Sequence, residues 1–436
     1  MRKTTLAVTI SLLLNLPAQA ENLLEVYKTA ADNDPTYLAA YADYQAVRES
    51  KQQSVAPLLP NLNLSADYND IKTEYSGTAG TQDYSEYGYN LSLSQAIFRY
   101  NYWVQLRQAN IQVAQAEANF SNARQALILR VTERYLEVLA AGDNLTFAKS
   151  EKKAIGEQLN QTKQRFEVGL SAITDVHEAQ ARYDQAVAQN IEAENLLANT
   201  KENLREVTGQ YYEHLSVLLE KSPLVTPKPA NIDAWLDIAK ERSLSLIAAE
   251  KQMQIAQEDV SRNRAGHYPT LDLVAAYSYT DTDGGLFSAA TGQETDDTRI
   301  GLQFNLPIYE GGRVNSQTRE AAHRYQQAKD LYEQQRRATE RETRSSYLNV
   351  LANISSVRAF RQALTSSRTA LEATEAGYEV GTRTAVDVLN SRRELFRSER
   401  DYARSRYTYI LETLRLKAAV GTLTEQDVAA INNWLK

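Results

Sequence analysis

The chain has 436 residues, a formal net charge of −7, no cysteine and only four histidines. The acidic balance excludes nucleic acid as a natural partner, and the missing cysteines exclude a disulfide framework. His177, His214, His267 and His323 lie far apart without metal-ligand spacing, and no Gly-rich phosphate loop or nucleophile elbow occurs, so the sequence supports no enzyme and requires no cofactor.

Residues 1–20 read as a secretory signal: Arg2 and Lys3, an apolar stretch from Leu6 to Leu16, then Ala18-Gln19-Ala20 as a small-x-small cleavage pattern. Its removal takes two of the 48 cations and none of the 55 acids, which moves the net charge from −7 to −9. After it no run approaches the ~18 apolar residues of a membrane-spanning helix. That leaves an exported soluble protein, or an outer-membrane β-barrel whose strands hide their apolarity by alternation.

A short helix is expected over Tyr37–Ala56, followed by a β-hairpin at about 61–95. Leu62, Leu64, Ala66 and Tyr68 alternate with Asn63, Ser65 and Asp67; Tyr87, Tyr89, Leu91 and Leu93 alternate with Gly88, Asn90 and Ser92. Each run is a period-two strand of about nine residues, the length of a tilted hydrocarbon crossing. The connection, roughly Asn69 to Glu86, is polar and reads as a long loop on the outer face. A long helix is expected over about 101–168, with Ala109, Val113, Ala116, Phe120, Ala123 and Leu127 on one stripe and Val131, Tyr135 and Val138 continuing it after a stutter. Nearly 70 residues at ~1.5 Å each make a rod of order 100 Å, about three times the hydrocarbon thickness. A turn at Val168-Gly169-Leu170-Ser171 leads to a returning helix at about 174–207. Ser222 to Pro229, with three prolines, is a linker.

The chain then repeats itself. A helix is expected over Ser245–Arg264, a hairpin at about 269–307 with a polar loop from Thr280 to Thr298, a long helix at about 312–380 and a returning helix at about 384–420. Pro60-Asn61-Leu62-Asn63-Leu64 returns as Pro269-Thr270-Leu271-Asp272-Leu273, Tyr135-Leu136-Glu137-Val138-Leu139 as Tyr347-Leu348-Asn349-Val350-Leu351, and Phe166-Glu167-Val168-Gly169 as Tyr378-Glu379-Val380-Gly381. The mature chain therefore reads as two tandem structural repeats, 21–228 and 229–421, closed by a segment at 422–436 with a short helix over Thr424–Leu435.

Four strands cannot close a barrel in lipid, because open sheet edges leave backbone groups unpaired there. The chain must oligomerise. Two copies would give eight strands with a filled interior, and three would give twelve, the smallest multiple that leaves a lumen. Strand counting thus favours a homotrimer, with polar strand faces lining water and Tyr68, Tyr87, Tyr277, Tyr279 and Phe304 toward lipid.

Over essentially the whole mature chain the sequence resembles the TolC family of outer-membrane channel-tunnels of Gram-negative bacteria. The resemblance rests on Gly266-His267-Tyr268-Pro269-Thr270-Leu271-Asp272-Leu273, Leu306-Pro307-Ile308-Tyr309-Glu310-Gly311-Gly312, the run from Ala376 to Leu389, and Gly421-Thr422-Leu423-Thr424-Glu425-Gln426-Asp427. It implies an α+β membrane protein: a trimeric twelve-stranded transmembrane β-barrel, four strands per chain, continuous with a twelve-helix coiled-coil α-barrel in the periplasm. It further implies an exit duct for multidrug efflux and type I secretion, partnered by a periplasmic adaptor, an inner-membrane transporter of the RND, ABC or MFS kind, and outer-membrane lipid. The helix tips, Val168, Gly169 and Leu170 with Val380, Gly381 and Thr382, become the adaptor-docking entrance. Tyr378 and Arg383 match residues that latch the inner helix pair to positions matching Thr174 and Asp175. An Arg–carboxylate pair suits a latch because it is directional, yet weak enough when exposed to be broken.

Asp387 matches a lumen-facing residue, so threefold symmetry would set three carboxylates in a constriction ring that raise one another's pKa and attract cations. Asn390 stands where better-known members carry a second Asp, so the second ring is neutral and block by multivalent cations is expected to be weaker. Simpler roles accompany these: Thr384 to Asp387 fits a capping box, Gly169 and Gly381 fit helix-ending glycines, and Asp281, Asp283, Asp296 and Asp297 fit solvated loop acids better than a calcium site. The competing reading, a periplasmic or surface coiled-coil scaffold, is disfavoured by four alternating segments of membrane length.

Overall fold

A computed structural model describes residues 21–74, 81–219, 222–283 and 293–436. The signal segment and the tips of both strand connections lie outside the described residues. The chain divides into two compact units.

One unit comprises residues 39–122 and 240–341. It holds most of helix α2 (Pro35–Val55), strands β1 (Asn61–Glu74) and β2 (Thr81–Phe98), the first part of helix α3 (Tyr100–Glu167), helix α6 (Leu244–Arg264), strands β3 (Thr270–Asp283) and β4 (Gln293–Asn305), and the first part of helix α7 (Arg313–Glu379). The strands form one antiparallel sheet in the order β1-β2-β3-β4. They run 14, 18, 14 and 13 residues, longer than the nine expected, so the connections are shorter than Asn69–Glu86 and Thr280–Thr298. The excess is polar. Pairs such as Asp70 with Ser85 and Lys72 with Asp83 continue the ladder beyond the apolar alternation, which marks only the stretch suited to hydrocarbon.

Register sorts the side chains by face, since neighbours across a ladder point the same way. Leu62, Leu93, Ala275 and Ile300 share one row, and Tyr89 and Tyr279 stack at 5.2 Å in another. The opposite face carries Ser65, Asn90, Ser278 and Asp297 in one row. Leu64 is 68% exposed and Ile300 77%, so the apolar face has no cover among the described residues. The ladder between the hairpins shifts at Ala96/Phe98, where Arg99 grips Asp272 through two bonds of 2.7 Å each. A bidentate pair of this kind fixes orientation as well as distance.

The other unit comprises residues 21–38, 123–239 and 342–436. It contains helix α1 (Leu23–Asn33), the later parts of α3 and α7, helices α4 (Ile173–Thr208), α8 (Ala385–Ala419) and α9 (Glu425–Asn432), and most of α5 (Ile232–Arg242). Its core gathers Leu23, Val26, Leu127, Val131, Tyr135, Val350, Ile410 and Leu414, so the later part of the stripe predicted for α3 shares this core with Val350 of α7. Tyr135 is fully buried and donates to the Ser216 carbonyl at 2.7 Å, and burial pushes its pKa above the ordinary phenol value. Asp34, almost wholly buried, accepts from the Thr36 and Tyr37 amides at the start of α2 and pairs with Arg130. Residue 21 and the last residues flank 214–219 in a small ladder: Ser216 N donates to the Glu21 carbonyl at 3.1 Å and Val217 N to that of Lys436 at 2.9 Å.

Candidate functional site

The two helical hairpins turn by the same backbone device. Gly169 (φ 77°) and Gly381 (φ 79°) adopt the left-handed conformation that costs other residues free energy. Behind each glycine a six-residue bond closes the helix end: Leu170 N to the Arg165 carbonyl and Thr382 N to the Gly377 carbonyl, both 2.8 Å. The tips present Val168 and Leu170 at 70% exposure and Val380 at 76%. Apolar side chains held on a rigid turn form a surface patch that a partner can cover.

The acids behind the turns cap the returning helices. Asp387 Oδ2 accepts from the Thr384 amide and hydroxyl, both at 2.9 Å, while the Thr384 hydroxyl receives the Asp387 amide at 3.2 Å. This is the full capping box expected from sequence. The Thr384 amide first, then its hydroxyl, lower the Asp387 pKa within a single chain, opposite in sign to the mutual repulsion expected for a ring of three. In the first copy Ala172 cannot supply a hydroxyl, and Asp175 Oδ2 accepts from Ser171 Oγ at 2.8 Å and the Ala172 amide at 3.3 Å instead.

Within one chain the four latch residues do not bond to one another. The Arg165 guanidinium lies 4.9 Å from the Tyr378 ring centroid, Thr174 and Arg383 are exposed, and Asp175 is engaged in its cap. The Arg383 side chain passes so close to Gly377 that a Cβ there would lie 2.8 Å from its Cγ. Asn390 is exposed on α8, next to Leu389, which is buried against Ile155 and Ala186.

Two clamps behind the tips were missed by motif reading. Lys163 reaches Gln180 at 3.4 Å in the first hairpin and Arg392 reaches Glu375 at 2.5 Å in the second. They occupy equivalent places: Lys163 corresponds to Glu375 and Gln180 to Arg392, with the cation moved to the other helix. The signal lay in aligning the two copies.

Alternating strand faces, sheet edges unpaired among the described residues and paired helical hairpins are the features of an outer-membrane channel. The crystal structure of the Campylobacter jejuni CmeC outer membrane channel has this fold, with a TM-score of 0.79 at 17% identity over 95% of this chain and 90% of that one. The sequence profile described as outer membrane efflux protein matches residues 26–210 and 235–422. Outer membrane protein TolC of Vibrio cholerae is 41% identical, covering 96% of this chain and 94% of that protein, and alkaline protease secretion protein AprF of Pseudomonas aeruginosa is 29% identical over 96% and 88%. The chain belongs to the outer membrane efflux protein family, and its place is the cell outer membrane.

Proposed function

We propose that this chain is the exit duct of tripartite multidrug efflux and type I secretion machines, working as a homotrimer with a periplasmic adaptor and an inner-membrane RND, ABC or MFS transporter. The observation that carries the reading is the sheet. Among the described residues β1 and β4 each have a ladder edge without a partner, beside an apolar face without cover. Unpaired edges in hydrocarbon cost several kcal/mol per group, so β4 of one copy must meet β1 of the next, and three copies give twelve strands around a water-filled lumen. Relatives named for efflux and for protease secretion support the two cargo classes.

The hairpin tips are the periplasmic entrance. Val168, Gly169, Leu170, Val380, Gly381 and Thr382 form the adaptor-docking rim, and Tyr378, Arg383, Thr174 and Asp175 form the latch that holds it shut. Arg383 suits this role because it is exposed and has no ion-pair partner in its own chain among the described residues. Asp387 forms the cation-attracting ring, and Asn390 leaves the next ring neutral.

Single-channel recording of the purified protein in planar bilayers tests the assignment. Arg383→Ser is expected to raise conductance by releasing the entrance, and Asn390→Asp to strengthen block by multivalent cations. A parent channel that already conducts at the level of Arg383→Ser removes the latch, and unchanged block in Asn390→Asp removes the second-ring argument.

A further inference from the structure

The linker between the two repeats, the later part of α8 and the closing segment from α9 to Trp434 together line a slot. Its volume is about 300 Å³, at the lower end of the range for small-molecule sites. Every residue that lines it belongs to the same compact unit. Along α8 the slot begins at Tyr409, ~33 Å from Asp387, so it is neither the constriction ring nor the helix-tip rim.

The walls are apolar and fixed. Pro227, Trp235, Ile410, Leu414, Ile431 and Trp434 supply them, and all but Trp434 are buried. The Trp235 indole N–H donates to the Pro229 carbonyl at 2.8 Å, which sets the ring. Trp434 is held by its backbone: its amide donates to the Ile431 carbonyl and its own carbonyl accepts from the Leu219 amide, both at 2.8 Å. Two indoles held in this way are preorganised for contact with a further ring.

Most polar groups around the slot are spent on one another. The Tyr409 hydroxyl accepts from the Val225 amide at 2.8 Å and donates to the Val225 carbonyl at 3.0 Å. The Thr413 hydroxyl donates to the Tyr409 carbonyl at 2.9 Å, and Lys417 is neutralised by Asp427. The charge that remains is Lys228, which lines the slot, is exposed, and has no ion-pair partner among the described residues. An apolar volume walled by two indoles thus carries one uncompensated cation.

We propose that this slot binds a small aromatic carboxylate, its ring packed against the indoles and its carboxylate paired with the Lys228 ammonium. A ring gains from contact with the indoles beyond what burial alone gives, which an acyl chain of the same volume does not. The carboxylate meets Lys228 at the exposed end, so the ligand leaves no charge buried without a partner. Bound there, it ties the inter-repeat linker to α8 and α9.

The chain has three tryptophans, and Trp103→Phe leaves only the two that line the slot. With this full-length variant in lipid nanodiscs, para-bromobenzoate is expected to quench tryptophan emission saturably, because bromine quenches an indole that it touches. Para-bromobenzyl alcohol, the same ring without the charge, is expected to bind about three- to fivefold more weakly, the worth of an exposed ion pair. Lys228→Gln should remove the advantage of the acid and leave the alcohol unchanged. Ala430→Phe, at an exposed position that lines the slot, should fill it and abolish saturable quenching. Heat-modifiable migration shows that each variant has assembled, and the surface change Lys228→Gln carries the test where Ala430→Phe does not assemble. Quenching that never saturates, or that survives Ala430→Phe in assembled protein, is partition into the bilayer and overturns the site. Equal binding of acid and alcohol overturns the role of Lys228, and equal binding of ω-bromooctanoate overturns the aromatic class.

Discussion

The two hairpin tips share one backbone and differ in nearly every side chain that could regulate it. Both end on a left-handed glycine and close on a 2.8 Å bond to the carbonyl five residues back. Around this common turn the second copy adds a complete capping box, an arginine laid across a glycine, and a tyrosine under an arginine of the neighbouring helix. The first copy has Ala172 where the second has Thr384, and Arg165 where the second has Gly377. Turn geometry is fixed by what the chain can do without strain, whereas the side chains are free to diverge, and the divergence falls where a gate would need it.

The comparison can be broken at three strengths. Gly169→Val and Gly381→Val should each cost about 1–2 kcal/mol of local stability, because a β-branched residue must enter the left-handed region. Amide exchange at Leu170 and Thr382 reads this directly, and clearly unequal losses would show that the turns are not equivalent. Thr384→Ala should cost about 1 kcal/mol at the second tip, and Ala172→Thr should stabilise the first by less than that, since a hydroxyl there completes a box whose acid is already placed. No gain from Ala172→Thr would mean that Ser171 already fills the role. The smallest effect is that of pH. The folded pKa of Asp387 is depressed below its ordinary 3.8, so its contribution is present above that value and is lost as pH falls through the folded pKa. Exchange at the second tip, corrected for intrinsic rates, should rise in that acid window, and Thr384→Ala should weaken the dependence.

Much of this was legible from sequence because it is local. Alternation at Leu62 to Tyr68 fixes a face, the stripe through Tyr135 fixes a buried seam, and a glycine after a long helix fixes a turn. Strand length was not legible, because the ladder outruns the apolar pattern: Lys72 and Asp83 pair without advertising it. The ladder of Glu21, Ser216, Val217 and Lys436 joins irregular segments that have no period to read. At the tips, the capping role of Asp387 was visible as a motif, whereas the stacking of Arg165 on Tyr378 depends on how two helices pack and leaves no trace in spacing.

The bidentate grip of Arg99 on Asp272 bears on the order of folding. Each hairpin ladder closes between strands close in sequence, but the ladder joining the hairpins links residues 173 positions apart. Closing so long a loop costs about 2.5–3 kcal/mol more than closing a hairpin. The join between hairpins is therefore the step expected to be slowest in making the sheet, and the ion pair sits at the end of that ladder where the loop to be closed is shortest. Once it has formed, four strands travel as one prefabricated stave, and assembly has only the joins between staves left to find.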